Sequence, residues 1–222
     1  EGVTGIGDKV FYEDINLTQE GFYEKLKSGA NVSTSQPSIA YVSSIWDELL
    51  TEYDEVVYIP MSSGLSKSCD AATLEAKANY AGKVYVVNNQ RISVTQRQTV
   101  LEAIKMASNG LTGAEIQAKL EDQKMNSDIF IMVDTLTYLY RGGRCSGVAA
   151  MAGSMLKLHP RIAVENGKMD AGKKYRGKMN KVILEYVHDN SYKGTLDVDL
   201  DKSYEEKLVL AQIHMIRSKQ RS

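Results

Sequence analysis

The spacing of apolar residues predicts helices in the first fifty positions of the chain. Phe22 and Leu26 lie four residues apart behind Thr18, which is placed to be the N-cap of a short helix. From Ser38 onward, apolar residues recur at steps of three and four as far as Leu49. This period collects them on one face, which is typical of an amphipathic helix packed against a core.

Strand-like and helix-like segments then alternate up to about residue 110. Val56–Ile59 and Lys83–Val87 are short runs rich in β-branched residues, as in buried strands. A helix through Cys69 is expected between them, and another is expected from about Thr95 to Ser108. Alternation with short connections predicts βαβ units and a parallel sheet.

The pattern changes after about residue 123. Ile129–Val133 is expected to be a strand, followed by a short helix at Leu136–Tyr140 and an Ala/Met-rich helix from about Ser146 to Leu156. The dipeptide Asn166-Gly167 stands between two further strand-like runs and is a strong hairpin signal. A hairpin requires antiparallel pairing, so we expect a second subdomain of different design.

The fold predicted from these elements is α/β with two domains. Residues 1–123 would form a parallel-sheet domain, and residues 124–222 would form a second α/β domain with antiparallel strands. Near the end of the chain, periodicity persists only in Tyr204–Ile216, which could be a helix. The sequence contains no internal repeat.

Two short hydroxyl-rich loops, Thr34–Ser38 and Ser62–Ser66, stand before predicted helices. In the first, Ser35 would be the N-cap of the following helix, and Pro37 would fit its first turn. Helix capping or a turn explains each loop when it is taken alone. Together, at the carboxyl edge of one parallel sheet, the loops would present helix N-termini and unpaired N–H groups to an anion. They indicate a site for a small acid.

Composition and spacing disfavour several classes of function. The chain has 222 residues with a formal net charge of −1, so it has no general positive field for nucleic acid or anionic membranes. Cys69 and Cys145 give no disulfide framework, which fits a reducing cytosol, and a cytoplasmic location is expected. No apolar run approaches the ~18 residues of a membrane helix. His159, His188 and His214 lack metal-ligand spacing, and we expect neither a metal nor another cofactor.

Neither loop carries a motif for nucleotide binding or for hydrolysis. Both differ from the P-loop, from G-x-G-x-x-G and from G-x-S-x-G, which disfavours nucleotide-binding and α/β-hydrolase functions. The segment Arg141-Gly142-Gly143-Arg144 has two interpretations that the spacing does not separate. It is either a helix C-cap followed by surface charge, or an arginine aimed at a phosphate or carboxylate.

Five motifs along the chain identify a family resemblance. They are Thr34–Ser38, Ser62–Ser66, Thr135–Arg144, Leu156–Pro160 and Tyr175–Gly177. In their order and spacing they resemble those of the DegV family of fatty-acid-binding proteins. The resemblance extends over about residues 5–185, and the combination is far more specific than any single motif.

The resemblance implies a two-domain α/β protein whose cleft encloses one long-chain fatty acid, such as palmitate, stearate or oleate. By motif, Thr34 and Ser66 would hold the carboxylate, with Ser35 and Ser63 close by. The acyl tail would occupy an apolar tunnel, where burial contributes roughly 0.8 kcal/mol per CH₂. A carboxylate withdrawn from water needs hydrogen bonds, and hydroxyls near helix N-termini can supply them.

The resemblance also implies a protein partner. In several bacteria such carriers present their fatty acid to a separate ATP-dependent kinase subunit, which makes acyl-phosphate for phospholipid synthesis. Arg144 and Arg176 match arginines implicated in meeting that kinase. The chain would then be a lipid-binding carrier, at most an accessory subunit of a fatty-acid kinase, and not a free-standing enzyme.

The chain departs from the family pattern at several positions. The second loop continues Ser66-Lys67-Ser68 where the family usually has Ser-Gly-Thr, and Asn88-Asn89 stands where Asp-Ser is common. The family's opening strand and its closing His-Thr-Gly-Pro-Gly segment are not found. We therefore expect that the chain begins late and that its carboxylate contacts are incomplete.

Two other classes of function compete with a fatty-acid carrier. An acyl- or phosphoryl-transfer enzyme could use Ser66 as nucleophile and Lys67 as its activator. Adjacent side chains on a helix face different directions, however, which weakens this pairing. A lipid-dependent regulatory protein would keep its lipid as a structural component and would not exchange it.

Overall fold

The computed structural model describes residues 3–12, 15–132, 138–139, 142–143, 158–165, 167–176, 196–198 and 211–216. The helices are α1 Gln19–Lys27, α2 Ile39–Leu49, α3 Ser68–Asn79, α4 Ser93–Ser108 and α5 Gly113–Asp122, and a 3₁₀ turn follows at Gln123–Met125. The strands are β1 Val3–Ile6, β2 Lys9–Tyr12, β3 Val32–Ser35, β4 Val56–Tyr58, β5 Val84–Val86, β6 Ser127–Met132, β7 Leu158–Glu165, β8 Lys168–Arg176, β9 Leu196–Val198 and β10 Ala211–Ile216. None of the described helices is both long enough and apolar enough to span a bilayer.

The first three strands form an antiparallel sheet that the apolar pattern did not predict. Its order is β2-β1-β3, and its register places Thr4 opposite Thr34. The expectation that both hydroxyl-rich loops follow strands of one parallel sheet is therefore wrong for the first loop. Its strand, β3, pairs with β1 in the antiparallel sense, whereas the second loop follows β4 of a different sheet.

The N-cap of α1 is the residue expected from the sequence, whereas the N-cap of α2 is a different residue. Thr18 is the N-cap of α1, where its Oγ1 accepts a hydrogen bond from the Gly21 backbone N–H at 3.1 Å. Ser35 is not the N-cap of α2, because it belongs to β3. Ser38 takes that position with an extended backbone, and its Oγ accepts from the backbone N–H of Tyr41 at 3.2 Å.

The predicted βαβ unit is present as β4-α3-β5. Its two strands are parallel, with Val56 opposite Val84. The core beside them is centred on Trp46 of α2, which is 1% exposed. The Trp46 ring makes edge-to-face contacts with Tyr58 at 5.4 Å and Tyr80 at 5.3 Å between ring centroids. This packing orients the carboxyl end of β4, from which the second loop emerges.

The second half of the described chain forms a five-stranded antiparallel sheet in the order β8-β7-β6-β10-β9. The predicted hairpin is confirmed, since β7 pairs with β8 and Glu165 lies opposite Lys168. Gly167 occupies the turn with φ of +73°, which a residue without Cβ adopts at little cost. The chain therefore has the predicted α/β class, and its described residues form a parallel pair of strands and two antiparallel sheets.

In the C-terminal half, one expected helix is partly wrong and two other expectations are not tested by the described residues. The helix suggested at Tyr204–Ile216 is wrong for residues 211–216, because these form β10 and pair with β6 from Met132 to Ser127. Long-range backbone pairing decides this segment over its weak helical period. The predicted helix at 146–156 lies outside the described residues, and the division at residues 123 and 124 stays a prediction.

Candidate functional site

A cavity of about 740 Å³ lies between α1, the end of β3 and the segments that follow β4 and β5. This volume is within the range of about 300–1,000 Å³ that is typical of small-molecule sites. We call it the main cavity. Most of its lining residues are apolar or aromatic: Leu17, Phe22, Tyr23, Pro37, Tyr58, Ile59, Pro60, Met61, Leu65, Ile92, Tyr138 and Leu139. An apolar chain would therefore be well accommodated there.

A second space of about 390 Å³, here called the polar annex, shares part of its wall with the main cavity. The residues that line both are Thr34, Ser35, Gln36, Leu65 and Ser66. The annex is completed by Ser63, Gly64, Lys67 and Lys168. The fold thus brings together the two hydroxyl-rich loops, although their strands belong to different sheets. All four hydroxyl residues predicted for the site line this one space.

Ser66 combines a hydroxyl group with the N-terminus of α3. Its Oγ lies 2.8 Å from Ser68 Oγ, and the Ser68 backbone N–H donates to Ser66 Oγ at 3.2 Å. Because Ser68 is the first residue of α3, the Ser66 side chain caps that helix, although Lys67 occupies the N-cap position. The N-terminal end of the helix dipole, which favours negative charge, is therefore close to the cavity wall.

Ser63 is oriented by the amide of Asn88. The amide Nδ2 of Asn88 donates to Ser63 Oγ at 2.9 Å, and its Oδ1 accepts from the Ser63 backbone N–H at 3.5 Å. A backbone N–H can only donate, so the oxygen of the amide must face it and the nitrogen must face the hydroxyl. The proton of Ser63 is then directed away from Asn88 and is available to donate to an anion.

The Ser62–Ser66 loop is supported by the buried residue Arg91. The carbonyl oxygen of Arg91 accepts from the Ser62 backbone N–H at 2.9 Å. Its guanidinium donates to Thr99 Oγ1 at 2.9 Å and to the carbonyl oxygen of Gln123 at 3.0 Å. Burial lowers the pKa of this guanidinium, with the Glu102 carboxylate acting in the opposite direction. These contacts fasten the loop to α4 and to the end of α5.

A buried hydrogen bond joins the second loop to the β7–β8 turn. Ser62 is 1% exposed, and its Oγ donates to the carbonyl oxygen of Gly167 at 2.7 Å. Gly64 lies so close to the same carbonyl group that a Cβ at this position would collide with it. The antiparallel sheet therefore contributes a wall of the polar annex, and Lys168 enters the annex from that turn.

The geometry does not support the Ser66–Lys67 pair as a nucleophile and its activator. The side chain of Lys67 is 80% exposed, and its Nζ pairs with Asp70 Oδ2 at 3.3 Å. Ser66 Oγ is engaged with the hydroxyl and backbone N–H of Ser68 instead. An N–H group cannot accept a proton from a serine, and a neutral hydroxyl is too weakly basic to do so, so these contacts provide no general base.

The segment 141–144 is only partly described. Gly142 lines the main cavity and its backbone N–H donates to the Tyr138 carbonyl oxygen at 2.9 Å, and Gly143 has φ of +69°. The Gly142 hydrogen bond and the positive φ of Gly143 fit the helix C-cap interpretation. Arg144 lies outside the described residues, and the backbone of Arg176 ends β8 opposite Leu158.

Sequence reasoning missed several residues of the site. Thr4 and Gln36 line the main cavity, and Asn88 orients Ser63. Lys168 follows the Asn-Gly turn directly, but nothing in the local sequence indicates that this turn reaches the second loop. Within the described ranges, no group of three or more His, Cys, Asp or Glu side chains is arranged to hold a metal ion.

The chain is similar in sequence to known proteins. A family model described as "Uncharacterised protein, DegV family" matches residues 4–220. Protein DegV of Bacillus subtilis (strain 168) is 30% identical over 191 residues, which is 84% of this chain and 68% of that protein. The chain thus spans about two thirds of the length of this relative.

Solved structures agree with the sequence comparison. A DegV family protein from Thermus thermophilus, described as fatty-acid-binding, has a TM-score of 0.75 and 28% identity over 87% of this chain and 70% of its own. A fatty-acid-binding DegV family protein from Streptococcus agalactiae has a TM-score of 0.76 and 25% identity over 89% of this chain and 71% of its own. These matches confirm the α/β fold. The family model matches nearly the whole length of this chain, and the chain therefore belongs to the DegV family.

Proposed function

We propose that this protein binds one long-chain fatty acid, such as palmitate, stearate or oleate, and acts as a carrier. The carboxylate would lie against Thr34 and Ser66, with Ser35 and Ser63 close by, and the acyl tail would fill the main cavity. The observation that carries this proposal is the shared wall of the two spaces. The hydroxyl groups stand where an apolar cavity of about 740 Å³ meets a polar annex that contains two lysines.

The energetics of this arrangement are favourable at both ends of the ligand. Each CH₂ group removed from water contributes roughly 0.8 kcal/mol, so the apolar wall would supply most of the affinity. A carboxylate loses its hydration when it enters the site, and hydrogen bonds from the protein must offset this loss. Hydrogen bonds to an ionised acceptor are stronger than hydrogen bonds between two neutral groups, so a few donors are effective. Ser63, whose proton is directed away from Asn88, and the N-terminus of α3 are suited to that task.

The proposal is tested by thermal denaturation of delipidated protein with matched ligands. Palmitate or oleate should raise the midpoint of unfolding, whereas the corresponding methyl esters should raise it much less. The variants Thr34→Val and Ser66→Ala should reduce the effect of the acid, while the exposed control Ser44→Ala should not. Equal stabilisation by acid and ester would contradict the role of these hydroxyls. Native mass spectrometry would identify a co-purifying lipid.

We further propose that the loaded protein presents its carboxylate to a separate ATP-dependent fatty-acid kinase in the cytoplasm. Arg144 and Arg176, which match the family's docking positions, would contact that partner. The variants Arg144→Ala and Arg176→Ala should retain fatty acid but lose acyl-phosphate formation when kinase and ATP are supplied. Loss of fatty-acid binding in these variants would instead place the arginines in the ligand site.

A further inference from the structure

Lys168 lines the polar annex together with the hydroxyl residues but was not among the site residues expected from the sequence. It is the first residue of β8 and is brought to the annex by the β7–β8 turn. We propose that Lys168 is the counter-ion of the bound head group and makes the site selective for an anionic head group over a neutral one. This inference rests on the proposed function and adds a recognition residue to it.

Tight packing of the β7–β8 turn fixes the backbone and the stem of Lys168 beside the second loop. Ser62 Oγ donates to the carbonyl oxygen of Gly167 at 2.7 Å in a buried environment. The absence of Cβ at Gly64 lets that carbonyl group and the stem of Lys168 approach the loop; a Cβ at Gly64 would lie 2.8 Å from Lys168 Cγ. The stem of Lys168 therefore lies across the same loop that carries Ser63 and Ser66.

The charges around the annex distinguish Lys168 from Lys67. Both lysines line the space, and no acidic residue is among its described lining residues. Both lysines are exposed, but Lys67 is already paired with Asp70 at 3.3 Å. Among the described residues, no ion pair involves Lys168. Among the described side chains, Lys168 thus brings a positive charge without an acidic partner to a space lined by four hydroxyl residues. Such a space favours an anion, since a charged donor strengthens a hydrogen bond to a carboxylate.

The two lysines provide a matched pair of variants. Lys168→Met and Lys67→Met remove one charge each and keep a long apolar stem. Binding of myristate and of tetradecan-1-ol, which differ only in the head group, is measured by equilibrium dialysis with radiolabelled ligand. Lys168→Met should raise the Kd for myristate about tenfold, equivalent to about 1.4 kcal/mol. The Kd for the alcohol should change less than about twofold. Lys67→Met should raise the Kd for myristate less than Lys168→Met does, because Lys67 is already paired with Asp70.

Two further measurements distinguish recognition of charge by Lys168 from a purely structural role of this residue. Lys168→Arg should retain most of the affinity for myristate. Added salt should weaken binding of myristate to the unaltered protein more than to Lys168→Met, because the counter-ion is missing from the variant.

Each contrary outcome has a defined meaning. Equal weakening of acid and alcohol in Lys168→Met would overturn the inference, because it would indicate a disturbed turn. Unchanged affinity for myristate would also overturn it while leaving the proposed function intact. If the unaltered protein retained neither ligand, the proposed function would fail and this inference with it.

Discussion

The hydrogen bond from Ser62 to Gly167 predicts that the second loop and the β7–β8 turn depend on each other. Ser62→Ala removes the Oγ that donates to the Gly167 carbonyl oxygen at 2.7 Å and accepts from the Gly64 backbone N–H at 3.2 Å. A lost intramolecular hydrogen bond costs about 1 kcal/mol, and a buried group left unsatisfied costs about 1–3 kcal/mol. Since Ser62 is 1% exposed, we expect the free energy of unfolding to fall by about 1–3 kcal/mol.

The assay is urea denaturation followed by fluorescence of Trp46, the single tryptophan of the chain. Trp46 is buried between Tyr58 and Tyr80, so unfolding will change its emission. Each kcal/mol corresponds to roughly 2–4 °C in Tm for a chain of this length.

The control for Ser62→Ala is Ser44→Ala. The hydroxyl of Ser44 is exposed and donates to Tyr41 within one helical turn, so its loss should change stability by less than about 0.5 kcal/mol. Ser62→Ala should also weaken myristate binding, because the turn that carries Lys168 loses its anchor. If Ser62→Ala were as stable as Ser44→Ala and bound myristate normally, the reasoning about this contact would be refuted.

Three further predictions concern single side chains. Asn88→Asp should weaken myristate binding about tenfold, because a carboxylate cannot donate to Ser63 Oγ and adds negative charge; unchanged Kd in equilibrium dialysis would contradict the orientation of Ser63. In a Cys145→Ser variant, the thiol of Cys69 in the folded protein should react with a disulfide reagent at pH 8 far more slowly than the same thiol in the unfolded chain. The reason is that desolvation raises the pKa of this buried thiol and lowers its thiolate fraction. Equal rates would show that the thiol is accessible. Hydrogen bonds from the backbone N–H and hydroxyl of Thr112 lower the pKa of Glu115, so an NMR titration should give a pKa below that of an ordinary glutamate. The stabilisation of α5 by the Glu115 carboxylate should be lost as pH falls through that lowered pKa. A normal pKa would argue against this capping box.

Local signals predicted the elements whose geometry depends on a few neighbouring atoms. Thr18 caps α1 as expected, and the Asn-Gly turn joins two antiparallel strands as expected. The βαβ unit at β4-α3-β5 also follows from its period and short connections. The resemblance to the DegV family added the expectation that Thr34 and Ser66 share one site.

Errors arose where a distant strand competed with a local preference. Ser35 was expected to cap α2, but pairing of β3 with β1 draws it into a sheet, and Ser38 becomes the cap. Residues 211–216 pair with β6 and form a strand, although the segment that contains them has a weak helical period. Backbone pairing across the chain outweighs such weak local signals, because each strand satisfies several polar groups at once.

The sequence by itself determined the α/β class, the helices α1 to α4, the hairpin and the hydroxyl-rich character of both loops, whereas α5 was not predicted. Only the tertiary structure decided that loops from two different sheets line one space, and that the β7–β8 turn adds Lys168 to it. The physical reason is a close contact between the second loop and the Gly167 carbonyl group, which lies more than one hundred positions further along the chain. Gly64 leaves room for this carbonyl group because it has no Cβ, and the buried Ser62 hydroxyl donates a hydrogen bond to it. No local pattern encodes that contact, because it depends on how the two sheets pack.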